Sequence, residues 1–113
     1  MHAGSASAVL PRRLAQTVPP VVFRRFALAA VGVLIVIVAS GATVRLTGSG
    51  LGCPEWPTCT TQHALPQGYH SYIEFGNRVV SAVTIFTTLA LAVAAWLTRG
   101  LGRRGRWLAT AVF

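Results

Sequence analysis

The stretch FALAAVGVLIVIVASGATV, residues 26–44, decides the fold class of this chain. It contains 19 residues and no charge, and as a helix it extends about 28 Å, close to the thickness of a bilayer core. Its apolar residues surround the helix instead of forming one stripe, which is typical of a helix in lipid or in a large core. Because a chain of 113 residues cannot build a large core, the stretch predicts a membrane-spanning helix.

A second uncharged run, VVSAVTIFTTLALAVAAWL at residues 79–97, predicts a second span, which we extend back to residue 73. An apolar pattern resumes near residue 107 and predicts the start of a third span. A cleaved secretory signal is the alternative for the first run, although a second span follows it. Residues 23–113 are therefore predicted to form an all-α, integral membrane helical bundle with two complete transmembrane helices and part of a third.

The charges predict how these helices are oriented. The chain has ten basic residues, all arginine, two acidic residues and a formal net charge of +8. The four charges between the two uncharged runs cancel: Arg45, Arg78, Glu55 and Glu74. The excess of arginine lies outside the spans, and cytoplasmic segments carry such an excess, so we expect both flanks inside and the loop 45–72 outside. This placement argues against nucleic acid as a partner. Residues 1–22 lack periodicity and are predicted to be a disordered cytoplasmic tail.

The predicted outer loop holds both cysteines of the chain, in GCPEWPTC at residues 52–59. Because thiols oxidise on the exterior face, a structural disulfide between Cys53 and Cys59 is the first interpretation. Closing that ring contributes about 2.4 kcal/mol in the chain-entropy model. A redox-active pair is the second interpretation. A zinc site completed by His63 and His70 is the third, although this cysteine spacing is unusual for zinc.

A polar face precedes the second uncharged run, in HSYIEFGNR at residues 70–78. If the helix continues backwards through it, Glu74, Asn77 and Arg78 share one face, with His70 one turn earlier. An ion pair between Glu74 and Arg78 at the membrane interface is the simpler interpretation. A cofactor or proton site with Glu74 as the acid is the functional one, because charges at the mouth of a span should face a protein cavity.

Two motifs, GATVRLTGSGLGCPEWPTC at residues 41–59 and IEFGNRVVS at residues 73–81, resemble the heme A synthase family. The resemblance covers about residues 26–98 and implies an eight-helix protein of the bacterial cell membrane, built from two similar halves with heme between the helices. This chain is expected to be its N-terminal fragment and to be inactive alone. The family oxidises the C8 methyl group of heme O to a formyl group. Heme O is therefore the implied substrate, heme A the product, and heme B a further candidate cofactor.

The resemblance also implies roles for residues of the loop and of the second helix. Glu74 matches a glutamate that is important for activity and is the candidate catalytic residue. Cys53 and Cys59 match an exterior disulfide that is thought to assist electron handling or heme transfer. Asn77 stands where many members carry a heme-ligating histidine. An amide is a poor iron ligand, so we expect Asn77 to hydrogen-bond a heme substituent or water.

The remaining candidate cofactor contacts are His70, Arg45 and Arg78. His70 is a candidate replacement for the missing iron ligand, and the two arginines are candidates for pairing with heme propionates. No further metal site is predicted. The implied partners are the lipid bilayer, heme O, heme O synthase or cytochrome oxidase assembly factors, and an electron donor. The alternative is a non-catalytic membrane assembly subunit or scaffold with a disulfide-stapled exterior loop.

Overall fold

The computed structural model describes residues 17–113, and these residues form three α-helices and no β-strand. Helix α1 comprises Pro20–Leu46, α2 comprises Tyr69–Leu97 and α3 comprises Arg103–Val112. The predicted all-α class is therefore confirmed. The tail predicted over residues 1–22 lies outside the described residues up to residue 16, and the chain is helical from Pro20 onwards.

Helices α1 and α2 are both long and apolar enough to cross a membrane, with 27 and 29 residues. Each helix is longer than the uncharged run that predicts it, because residues next to the run, including charged ones, are also helical. At the start of α1, Pro20 is tolerated because the first turn of a helix needs no backbone donor there. At the start of α2, the whole of the HSYIEFGNR segment is helical, as its i, i+3, i+4 pattern predicts.

Helix α1 ends where the glycine-rich segment begins. Gly48 has a φ of 63°, the left-handed conformation that glycine adopts at no steric cost. The Ser49 amide donates to the Val44 carbonyl at 2.9 Å, which satisfies one of the last free carbonyls of the helix. The chain thus turns sharply out of α1 and into the loop that carries the two cysteines.

The described residues divide into two compact units, each of which has its own set of buried residues. The loop unit comprises residues 31–85 and includes the whole connection between α1 and α2. The terminal unit comprises residues 17–30 and 86–113. Its core consists of small and apolar side chains: Ala30, Leu91, Ala95 and Ala109, with Phe23, Ala27 and Leu101 packed against them. Small side chains let helices approach closely, which is how helices associate in lipid.

Within the terminal unit, α3 packs through an aromatic and polar contact with the end of α2. The Trp96 indole N–H donates to the Thr110 hydroxyl at 3.1 Å, and the Trp96 and Trp107 rings meet edge to face with centroids 6.0 Å apart. Helix α3 has 10 residues within the described range. The third span expected near residue 107 stays a prediction.

Candidate functional site

The two cysteines form a disulfide in the loop unit. Cys53 and Cys59 are bonded, their Cα atoms are 4.4 Å apart, and both residues are buried. The predicted pairing is therefore confirmed. Because zinc is bound by thiolates, these two sulfurs cannot serve a zinc ion while they are bonded to each other. Between them, Trp56 precedes a cis proline and is 79% exposed.

The carboxylate of Glu74 is buried and joins the loop to helix α2. One oxygen, Oε2, accepts the backbone N–H of Cys53 at 2.8 Å. The other oxygen, Oε1, accepts Nη2 of Arg78 at 2.6 Å, so the predicted i, i+4 ion pair is present. A buried charge needs such compensation, and hydrogen bonds that involve an ionised group are among the stronger ones in proteins.

The guanidinium of Arg78 makes further contacts with the loop that the ion-pair interpretation did not include. Its Nη2 also donates to the Cys53 carbonyl at 2.9 Å. Its Nη1 donates to the Thr58 carbonyl at 3.3 Å and, more closely, to the Glu55 carbonyl. The Glu74–Arg78 pair, which we call the clamp, therefore binds backbone groups near both ends of the disulfide ring.

Gly52, the first residue of GCPEWPTC, lies directly against the first turn of α2. A Cβ atom at this position would be 2.8 Å from the backbone carbon of His70 and 2.8 Å from the backbone nitrogen of Ser71. The Ser71 hydroxyl donates to the Gly52 carbonyl at 2.6 Å. Only a residue without a side chain allows this approach, so Gly52 lets the following cysteine reach Glu74.

His63, in the loop, and His70, in the first turn of α2, take no part in the clamp. His70 is exposed, and its Nδ1 is 2.9 Å from the hydroxyl of Ser49, a fully buried residue. That contact fixes the orientation of the imidazole. His63 is also exposed and forms a local turn with Thr60. The His63 backbone N–H donates to Thr60 Oγ1, and the Thr60 hydroxyl is within hydrogen-bond distance of the His63 carbonyl oxygen.

Asn77 and Arg45, the other candidate cofactor contacts, form no hydrogen bond with Glu74, Arg78 or the cysteines. The amide oxygen of Asn77 accepts the Ser40 hydroxyl at 2.8 Å, which links α2 to α1 inside the loop unit. Arg45 is exposed in the last turn of α1, and its side chain has no hydrogen bond within residues 17–113. The structure thus brings Glu74 and Arg78 into contact with the cysteine backbone, whereas Asn77 bonds α1 instead and Arg45 is exposed.

Comparison with known proteins matches the part of the chain that holds the first motif. A family model described as "Cytochrome oxidase assembly protein" matches residues 24–70. The heme A synthase of Geobacillus kaustophilus is 38% identical over 60 residues, which cover 53% of this chain and 19% of that protein. The heme A synthase of Symbiobacterium thermophilum is 38% identical over 77 residues, which cover 67% of this chain and 24% of that protein.

The heme A synthase of Geobacillus thermodenitrificans is 41% identical over 49 residues, which cover 43% of this chain and 16% of that protein. No solved structure matches the chain. The chain therefore spans only about a fifth of the length of the curated relatives that it matches. The resemblance to the heme A synthase family that the two motifs indicate is confirmed.

Proposed function

We propose that this chain is part of a heme A synthase-like membrane oxidoreductase that oxidises the C8 methyl group of heme O to a formyl group. The proposal depends mainly on one observation: residues 24–70, which match the family model, build most of α1 and the whole loop that carries the disulfide. The product, heme A, would serve the assembly of cytochrome oxidase.

We assign Glu74 to proton transfer in this reaction. Its carboxylate is buried and held in place by the Cys53 amide and by Arg78. Each carboxylate oxygen can accept about two hydrogen bonds, and one position on each is occupied by these contacts. The remaining positions can accept a proton from a substrate group or a water molecule, in a geometry that the clamp already fixes.

Of the two arginines proposed to bind the heme propionates, Arg45 fits that role better. The two Nη atoms of a guanidinium carry four hydrogens. In Arg78 these atoms make four contacts, with Glu74 and three loop carbonyls. Arg45 is exposed, and within the described range its side chain donates no hydrogen bond, so it retains the planar donor fork that carboxylates bind.

Asn77 is not a suitable ligand for the iron of a heme. Asn77 offers an amide in place of an imidazole, and its oxygen already accepts the Ser40 hydroxyl. The residue at this position therefore does not fit ligation of a heme iron. His70, whose ring is oriented by Ser49, is the proposed imidazole contact on this helix.

We propose that the protein lies in the bacterial cell membrane with both arginine-rich flanks in the cytoplasm and the disulfide loop outside. The long apolar helices and the distribution of the ten arginines support this topology. The proposed partners are heme O synthase or cytochrome oxidase assembly factors, which would deliver heme O or take up heme A, and a separate electron donor.

The proposal is tested by expressing the protein in its full natural length in a bacterium that makes heme O and lacks heme A synthase. Hemes are extracted from the membranes and identified by liquid chromatography and mass spectrometry. We expect heme A to appear. If only heme O is found while the protein is present in the membrane, the protein is not this oxidoreductase and the assembly-scaffold alternative is favoured.

A further inference from the structure

The disulfide ring is held at both ends by one side chain that is not part of the ring. Arg78 donates to the carbonyl of Cys53 itself and to the carbonyl of Thr58, the residue before Cys59. We propose that Arg78 is a positioning residue that keeps the Cys53 and Cys59 thiols within bonding distance when the disulfide is open. This inference does not depend on heme chemistry, so it can fail while the proposed function stands.

The clamp contacts do not require the S–S bond. Arg78 binds only carbonyl oxygens and the Glu74 carboxylate, and Glu74 binds a backbone amide. None of these groups is changed when the disulfide is reduced. The backbone contact between the Glu55 amide and the Cys59 carbonyl, at 3.4 Å, also lies within the ring and is independent of sulfur.

The carbonyls beside the sulfurs suit the reduced state as well. Cys53 Sγ is 3.6 Å from the Ser71 carbonyl oxygen, and Cys59 Sγ is 3.8 Å from the Gly52 carbonyl oxygen. In the disulfide neither sulfur carries a hydrogen. After reduction each thiol can donate its hydrogen to the oxygen already beside it, as a weak hydrogen bond. The pocket around the ring is thus preorganised for two thiols.

A loop that is already folded around its two thiols loses less entropy when they bond, so the clamp favours ring closure. The exchange with glutathione is balanced: the two thiols lose two protons and two electrons, one S–S bond forms in the protein, and one S–S bond of oxidised glutathione breaks to give two reduced molecules. By linkage, the free energy by which the clamp favours disulfide formation equals the free energy by which the disulfide stabilises the clamp.

The test is the equilibrium between dithiol and disulfide in the full-length protein in detergent. The protein is equilibrated in mixtures of reduced and oxidised glutathione, quenched in acid and alkylated. The peptides that contain Cys53 and Cys59 are then quantified by mass spectrometry. We expect Arg78→Gln to lower the equilibrium constant for disulfide formation at least about ten-fold, since it removes hydrogen bonds from a charged donor.

Two further variants separate positioning from a general effect of charge or stability. Arg78→Lys keeps the charge but has three donors without the planar fork, so its constant should lie between those of wild type and Arg78→Gln. Arg104→Gln removes an exposed arginine of the terminal unit and should match wild type. Circular dichroism of the oxidised proteins checks that all are folded.

If Arg78→Gln does not fold, the Arg78→Lys variant alone decides the test. An equilibrium constant of Arg78→Lys equal to that of wild type then overturns the proposal. The proposal is also overturned if Arg78→Gln folds and has the wild-type equilibrium constant for disulfide formation. It is overturned as well if Arg104→Gln lowers that constant as much as Arg78→Gln does.

Discussion

Substituting Gly52 by alanine should detach the disulfide loop from helix α2. The added Cβ would lie 2.8 Å from two backbone atoms of His70 and Ser71, and 2.9 Å from the His70 carbonyl oxygen. Backbone atoms cannot rotate away as a flexible side chain can, so the loop itself must move. Overpacking of this kind typically costs about 1–3 kcal/mol. The movement also weakens the bond between the Cys53 amide and the Glu74 carboxylate, which contributes about 1.5 kcal/mol or more.

Together these effects should lower the free energy of local opening by about 2–4 kcal/mol. Hydrogen exchange measured by mass spectrometry on the peptide that covers residues 52–59 reports this opening, and a loss of about 2 kcal/mol corresponds to roughly 30-fold faster exchange. Gly50→Ala is the matched control, because its Cβ would meet only Val44 Cγ1 at an ordinary 3.9 Å. Equal exchange rates of the Cys53 amide in the two variants would refute the prediction that Gly52 packs too closely on α2 to accept a side chain.

Three other substitutions test separate contacts. Asn77→Ala should lower the free energy of unfolding by about 1 kcal/mol because the Ser40 hydroxyl loses its partner; an unchanged denaturation midpoint would contradict this. Cys53→Ser should remove up to about 2.4 kcal/mol of stabilisation from ring closure, and the reduced wild-type protein should lose a similar amount, whereas oxidised and reduced wild type of equal stability would refute it. Trp96→Phe should cost about 1 kcal/mol by removing the hydrogen bond to Thr110, and Thr110→Val should cost less in the Trp96→Phe background than in the wild-type background.

The double variant of Trp96→Phe and Thr110→Val measures the interaction between these two side chains. If the two residues bond as the structure has them, the double variant should be less destabilised than the sum of the single variants. Full additivity of Trp96→Phe and Thr110→Val would show that the contact contributes nothing to stability.

The helices and the disulfide could be predicted from the sequence because local properties determine them. The run at residues 26–44 has no charge to keep it out of lipid, and the i, i+4 spacing of Glu74 and Arg78 places both side chains on one helix face. The pairing of Cys53 with Cys59 follows from there being only two cysteines, in a loop predicted to face an oxidising exterior.

The contacts that build the clamp could not be predicted in this way. Arg78 reaches carbonyls 20 to 25 residues earlier in the chain, and the direction of a loop carbonyl depends on backbone angles that composition does not determine. The Ser40–Asn77 bond joins residues 37 positions apart on two helices whose rotation about their axes the all-round apolar pattern leaves open. One sequence signal is consistent with the clamp. Charged side chains at the end of a membrane-spanning helix need polar partners, and the nearest polar groups are in the loop.

The conversion of heme O by Glu74→Gln in the full-length protein tests the central claim most directly. The amide keeps the shape of the side chain and an acceptor for one clamp contact, but it cannot take up and release the proton assigned to the carboxylate. We predict that heme A per mole of membrane protein falls at least about 100-fold relative to wild type, while Arg104→Gln retains the wild-type level. Heme A at the wild-type level in Glu74→Gln membranes would contradict the proton-transfer role assigned to Glu74.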